Sequence, residues 1–473
     1  MALTTVFFVF LFLPLSLILY RFIPQKYRNL TLLLLSLLFI AWGHPADLIL
    51  IGLSVVFNYF TALELDGLLQ AGRNGLKKWV LATGIAANLA LLVFFKYFVF
   101  FLENVGALIG VSYRFTVLAP PIGISFFTFS AISCLCDVAK GNERAVKNPL
   151  DFALYITFFA KITSGPIVRF RDMAKQLTER RMTVASVEKG LRLFLFGLSK
   201  KVILAGSLGF VFHSVRAQEL GSLSALGAWL GALSYSLMLY FDFSGYSDMA
   251  IGLGHVFGFS FAPNFDHPYA SGSMTEFWRR WHISLGAWFR DYVYIPLGGS
   301  RVGRARHLFN LSMVWVLTGL WHGANWTFVV WGVYHLALLL AEKFLLAGAL
   351  QKIPSVCRKG MTFLGAVIGW VIFFSDDIAY AGRYLLKMIG IGGSGLADRT
   401  GLYLLHSGWI ILAIALIGAS GLPNRAVDRL KERIGGETVL VRIVTTVFLA
   451  LLLIGSTAFM ISDTVTSFLY AKF

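Results

Sequence analysis

The chain has 473 residues, of which 57% are hydrophobic and only 14% charged, where a soluble domain carries about 25% charged residues. Mean hydropathy is +0.73, which excludes a water-soluble globule. The formal net charge of +17 does not argue for a nucleic-acid partner. The basic residues fall between apolar runs, as the positive-inside rule expects of cytoplasmic loops, and contacts to anionic lipid suit the remainder.

Apolar runs approaching the roughly 20 residues that a bilayer-spanning helix needs recur along nearly the whole chain. They are continuous rather than alternating, which selects helices over a barrel. The fold class is therefore an all-α polytopic membrane protein. Candidate segments fall at 4–20, 29–42, 47–64, 79–102, 117–137, 150–166, 190–212, 224–257, 308–344, 361–376, 402–421 and 438–462. They imply about 11 to 13 membrane-embedded helices, with the longer segments holding two helices or a helix and a re-entrant piece. No stretch reads as a separate soluble domain, so 1–473 is expected to form one integral membrane domain.

The first run, "MALTTVFFVFLFLPLSLILYRFIPQKYR", has no basic residue ahead of it, so a signal peptide is not expected. Arg21, Lys26 and Arg28 follow it, which favours an N-terminus outside and a first loop in the cytoplasm. Cys134 and Cys136 lie in an apolar run, where packing is the expected role. With Cys357 they show neither metal-site spacing nor a disulfide framework. "SGPIVRFRD", Ser164 to Asp172, pairs a Gly-Pro break with Arg169 and Arg171. It reads either as a cytoplasmic loop that meets phosphates or as a topology signal. "YFDFSGYSDMAIG" sets Asp242 and Asp248 in an apolar context. This reads as a polar lining or ion path, or as a helix break satisfied by its own side chains. It is not the nucleophile elbow G-x-S-x-G.

Residues 258–307 are polar, aromatic and rich in Gly and Pro. Irregular backbone near membrane depth is tolerated only inside protein or along a cavity, so this region is expected to wall an internal cavity. Ser273 or Thr275 would cap a helix beginning near Glu276, and "IPLGG" would end it. On one such helix Trp278, His282 and Phe289 share a face, and Trp281, Ser284, Trp288 and Asp291 a neighbouring one. Arg279, Arg280 and Arg290 add cationic donors. An amphipathic helix in the bilayer interface accounts for the arginines and tryptophans without any chemistry, but less well for His282.

"LTGLWHGANWTFVVWG", Leu317 to Gly332, is apolar yet holds His322 and Asn325. Ionisable groups in membrane segments are costly and usually face a cavity or pathway. On a helix Asn325 and Trp326 would follow His322 at i+3 and i+4, giving one face with imidazole, amide and indole. A buried neutral imidazole accepts a proton and suits a general base acting on a thiol or hydroxyl. The alternative is a structural histidine bonded to a carbonyl. His335, thirteen positions on, lies roughly opposite and reads as structural. No H-x-x-x-H or H-E-x-x-H spacing occurs.

"FWRRWHISLGAWFRDYVYIPLGGSR", followed forty residues from His282 to His322 by "GLWHGANWTFVVWG", resembles the membrane-bound O-acyltransferase (MBOAT) family, in particular its branch that O-acetylates extracellular polysaccharides. "PIGISFFTFSAISCLCDV", "SGPIVRFRD" and "YFDFSGYSDMAIGLG" resemble that branch too. The resemblance covers roughly residues 1–345, with its motifs between about 117 and 345, while the C-terminal helices at about 361–462 carry only hydrophobic character. It implies helices around a central funnel or tunnel in a bacterial inner membrane. His322 would be the catalytic histidine and His282 its companion. The implied chemistry is acyl transfer from a cytoplasmic donor, acetyl-CoA or another acetyl thioester, with no permanently bound cofactor. His322 would act as base or carry the acetyl group itself. Asn325, Trp326 or a backbone N–H would steady the oxyanion, and Trp278, Arg290, Asp291, Arg169 and Arg171 would bind substrate or donor. The acetyl group would pass outward to a periplasmic or extracellular acetyltransferase partner working with polysaccharide-export proteins. Alginate is the acceptor expected first, with cellulose and peptidoglycan as alternatives. A transporter or channel, or an export-complex scaffold, is the alternative from another class.

Overall fold

Backbone in lipid must satisfy its own hydrogen bonds, and every regular element among the described residues is helical. The structure is a computed structural model that describes residues 1–111, 119–433 and 438–462. Among these residues, seven helices are long and apolar enough to cross a bilayer: Asp47–Gln70, Asn74–Ile109, Val184–Arg216, Trp326–Phe344, Ser355–Phe374, Arg399–Ala419 and Val439–Ile461. The chain is a multi-pass membrane protein.

Several apolar runs form something other than one spanning helix. The 4–20 run gives a π turn at Phe8–Phe12 followed by Leu13–Phe22. The 150–166 run gives only the nine-residue helix Pro149–Thr157. The Asn148 side chain caps it by accepting from Leu150 N, and at its end Phe158 turns out of helical geometry. The 308–344 run breaks into Arg304–His322 and Trp326–Phe344. The first two residues of the 117–137 segment lie outside the described residues; the remainder lies mostly in Ile124–Lys140.

Backbone contacts divide the chain into two compact units. The first comprises Met1–Phe194, Met249–Ala262 and Ala287–Leu297. Its core holds a cluster of phenylalanines, in which Phe8, Phe12 and Phe39 surround Phe159, and Phe257 meets Phe159 edge-on at 5.6 Å. Asn58 and Asn88 exchange amide hydrogen bonds of 3.1 and 2.7 Å between two membrane helices, the kind of polar contact that joins helices in lipid. The Ile124–Lys140 helix is buried from Ile124 to Ala139, including Cys134 and Cys136. Ser130, Ser133 and Asp137 recur on one face at helical spacing. Ser133 Oγ accepts from Phe170 N at 3.1 Å and Asp137 from Arg171 N at 3.3 Å. That face therefore fixes the backbone of the "RFRD" stretch.

The second unit comprises Leu195–Asp248, Pro263–Gly286 and Gly298–Phe473. Arg304–His322 and Trp326–Phe344 form a tight helical hairpin. A Cβ on Gly319 would sit 2.3 Å from the Phe328 carbonyl oxygen, and one on Gly332 would sit 2.5 Å from that of Trp315. Only glycine allows this backbone approach, as small residues do in membrane helix pairs generally. The Ala225–Val256 helix runs unbroken through "YFDFSGYSD", so the helix-break reading fails. Lys201 pairs with Asp242, and Lys200 Nζ lies 2.6 Å from Asp248. Both lysines open the π turn Lys200–Ala205. Each of these carboxylates is thus paired with a lysine in the fold. Cys357 is exposed, in the first turn of Ser355–Phe374.

Candidate functional site

The single helix expected from Glu276 to "IPLGG" is two short helices and a π turn: Met274–Arg280, Ile283–Phe289 and Arg290–Tyr294. Ser273 caps the first, as the sequence suggests, by accepting from Glu276 N at 3.1 Å. The break falls at Trp281 and His282, and His282 adopts a left-handed φ of 44°. Such a conformation costs a non-glycine residue about 1–2 kcal/mol. Asn264 holds the break from outside. Its carbonyl accepts from Ile283 N at 2.9 Å and its side-chain Oδ1 from Ser284 N at 3.0 Å, satisfying two donors at the start of the second helix. The shared face of Trp278, His282 and Phe289, and that of Trp281, Ser284, Trp288 and Asp291, therefore do not form.

The same Asn264 Oδ1 lies 3.2 Å from His282 Nδ1, and Asn264 Nδ2 donates to Ser247 Oγ at 3.0 Å. Because Oδ1 already accepts from a backbone N–H, the network assigns a proton to His282 Nδ1 and leaves the lone pair on Nε2. His282 is 2% exposed, and burial pushes its pKa well below the ordinary imidazole range. The ring is therefore neutral at physiological pH. Phe243 meets it edge-on at 4.6 Å.

His322 is the last residue of its helix and is equally buried. Trp321, Trp331 and Phe373 each meet its ring at 5.0 Å. Trp321 also meets His282 at 5.7 Å, so one indole bridges the two histidines. The structure thus brings together the two residues expected to be catalytic.

The expected face of His322, Asn325 and Trp326 does not exist, because the helix ends at His322. Gly323 is fully extended, and Asn325 caps the next helix by accepting from Thr327 N at 3.0 Å. Asn325 Nδ2 donates to the Asp376 carbonyl at 2.9 Å, and Trp326 is 53% exposed. Trp278 joins a different cluster, with Trp331 at 5.4 Å and His335 at 4.8 Å. His335 is fully buried, and Trp331 touches it at 4.9 Å as well as touching His322. Residues the sequence reading missed are Asn264, Trp321 and Phe373. Asn264 lies in "FAPNFDHPYA", where no periodicity marks it; Trp321 was within the quoted motif.

The remaining four candidates meet in the first unit. Asp291 accepts from Arg169 Nη1 at 2.5 Å, from Arg290 Nε at 2.9 Å and from Arg171. Lys140 Nζ donates to the Asp291 carbonyl at 3.3 Å, and Arg169 also pairs with Asp172 at 2.7 Å. Burial works against the Asp291 carboxylate, yet Arg290, Arg171 and Arg169 hold its pKa below the usual range. Arg290 remains largely exposed. A cluster of cations held in place around one carboxylate offers guanidinium donors to phosphate or carboxylate. Among the described residues no group of three or more His, Cys, Asp or Glu side chains is arranged to hold a metal.

Comparison with known proteins matches residues 81–375 to the membrane-bound O-acyltransferase family. The chain is 42% identical over 421 residues to the probable alginate O-acetylase AlgI of Azotobacter vinelandii, covering 88% of this chain and 84% of that protein. It is 40% identical over 421 residues to the Pseudomonas aeruginosa protein of the same name, covering 88% and 80%. It is 36% identical over 426 residues to the peptidoglycan O-acetyltransferase of Helicobacter pylori, covering 82% and 80%.

Proposed function

The chain belongs to the membrane-bound O-acyltransferase family and is an acyltransferase of the bilayer, and on that premise we propose that it passes acetyl groups from a cytoplasmic thioester to an exported polysaccharide, alginate first. The observation that carries the acceptor is the identity of about two residues in five to alginate O-acetylases over 88% of the chain. Peptidoglycan is the second acceptor, favoured by the Helicobacter relative. Acetyl-CoA is the donor expected first, because the guanidiniums around Asp291 suit a phosphate-bearing thioester. A periplasmic or extracellular acetyltransferase partner receives the group, and the N-terminus lies outside. The whole chain works as one membrane domain.

In this reading His322 is the general base. As an acceptor hydroxyl attacks the thioester carbonyl, the imidazole takes its proton. The tetrahedral intermediate then collapses, the C–S bond breaks, and the imidazolium returns the proton to the leaving thiolate. Attack by the His322 imidazole itself, giving a transient acyl-histidine that the hydroxyl then cleaves, balances equally. Aromatic rings around His322 keep bulk water from competing for the thioester. His282, with Nδ1 tied to Asn264, presents Nε2 as a second neutral base. The test is ester-linked acetate on the polysaccharide in cells carrying His322→Ala, with membrane abundance measured alongside. Loss of acetate at normal abundance is expected. Retained acetate would make His322 structural and remove its catalytic assignment.

A further inference from the structure

The first unit contains a cleft of about 460 Å³, lined among others by Tyr20, Lys26, Arg28, Asp151 and Arg180. That volume falls within the range of about 300–1,000 Å³ typical of small-molecule sites. Two guanidiniums define its wall. Arg28 lies over the Tyr20 ring at 5.2 Å and Arg180 over the Phe259 ring at 4.2 Å. Arg180 is held firmly. Its Nε donates to Tyr20 Oη at 3.3 Å and its Nη1 to the Leu177 carbonyl at 3.1 Å, while Tyr20 Oη itself donates to the Phe257 carbonyl.

The bonding is incomplete. Arg180 Nη2 and Arg28 Nε are buried with no hydrogen-bond acceptor among the described residues. Leaving such donors unpaired is costly, the more so when they carry charge. Asp151 is the one carboxylate among the lining residues, and its Oδ1 is engaged by Asn29 Nδ2 at 2.6 Å. Burial lowers the Arg180 pKa, Tyr20 and Asp151 oppose this, and the like charge of Arg28 adds to the lowering. Two neighbouring guanidiniums, mounted on aromatic faces beside a cleft of this size, share the single carboxylate of Asp151, already engaged by Asn29, and keep donors open to a further anion.

We propose that this cleft is a binding site for a phosphate-bearing ligand, gripped by Arg28 and Arg180 with Lys26 at its rim. Planar guanidinium donors match phosphate oxygens in pairs. The two sources of that chemistry are the headgroup of an anionic phospholipid and a soluble phosphate compound. The site uses neither histidine and does not depend on the acyl-transfer reading.

The full-length protein is placed in phosphatidylcholine nanodiscs, and its thermal unfolding midpoint is followed while inorganic pyrophosphate is titrated. The measurement is repeated in nanodiscs containing phosphatidylglycerol. The midpoint should rise in at least one arm. A rise with pyrophosphate assigns a soluble ligand; a rise with phosphatidylglycerol alone assigns a headgroup. Arg28→Gln with Arg180→Gln should weaken the apparent affinity at least about tenfold, while Lys77→Gln, in the first turn of Asn74–Ile109 and outside the cleft lining, should leave it unchanged. Should the double variant fail to fold, Arg28→Gln alone serves, since the Arg28 Nε has no hydrogen-bond acceptor among the described residues; Arg28→Lys should retain part of the response. No rise in either arm, or an equal rise in the Arg28→Gln protein, overturns the site.

Discussion

Asn264 makes three hydrogen-bond contacts at the break between the two short helices and a fourth to Ser247, and one of them sets the proton on His282. Asn264→Asp would put a carboxylate beside the imidazole and stabilise its charged form, raising the His282 pKa. Wild-type His282 stays neutral to well below physiological pH. In the variant the neutral fraction is lost as pH falls through the raised value. The acidic limb of the acetylation rate should therefore move toward alkaline pH by about one pH unit or more. An unmoved pH–rate profile in an active variant would show that the charge state of His282 does not matter to transfer. At the arginine cluster, Arg169→Gln with Arg171→Gln should raise KM for the thioester donor by about tenfold or more, at nearly unchanged kcat. A KM equal to wild type would leave those arginines with a topological role alone. His282 and His322 were legible as residues because ionisable side chains stand out in apolar surroundings. Their partners were not. Asn264 reaches His282 through a loop eighteen residues upstream, and nothing local announces that contact.

At the scale of elements, hydropathy located most helices but placed their breaks poorly. "LWHGANW" reads as one apolar run, yet Asn325 followed by Trp326 and Thr327 is a helix-start signal, and the helix does restart there. The break at His282 had no such local signal, because it is imposed by tertiary hydrogen bonds. The hairpin that carries His322 depends on Gly319. Gly319→Ala should force the helices apart at the Phe328 carbonyl and destabilise the protein by about 1–3 kcal/mol. Thermal unfolding in detergent should show it as a lowered midpoint. Gly52→Ala, where a Cβ meets nothing within 4 Å, should be neutral or mildly stabilising. Equal midpoints for the two variants would mean the hairpin relaxes without loss.

For the whole molecule, composition alone established the membrane class, since few charges and long apolar runs leave little choice. The pairing of charges was invisible, because Lys200 and Lys201 precede their carboxylates by 48 and 41 positions. Lys201→Met would remove the cation that pairs with buried Asp242, at a cost of about 3–5 kcal/mol. Membrane abundance should fall sharply, and adding Asp242→Leu should restore much of it. A single variant as abundant as wild type would show that Asp242 does not need the lysine.

Cys134 and Cys136 are sealed inside helix packing, while Cys357 is open at the start of its helix. The native chain thus already carries a single addressable thiol and needs no cysteine-free background. A membrane-impermeant maleimide should mark Cys357 from one side of the bilayer and not from the other. Comparing intact cells with inverted vesicles then orients the segment between Trp326–Phe344 and Ser355–Phe374 directly. The same handle accepts a fluorophore or spin label, which turns an unremarked side chain into a fixed reporter on the helix hairpin next to it.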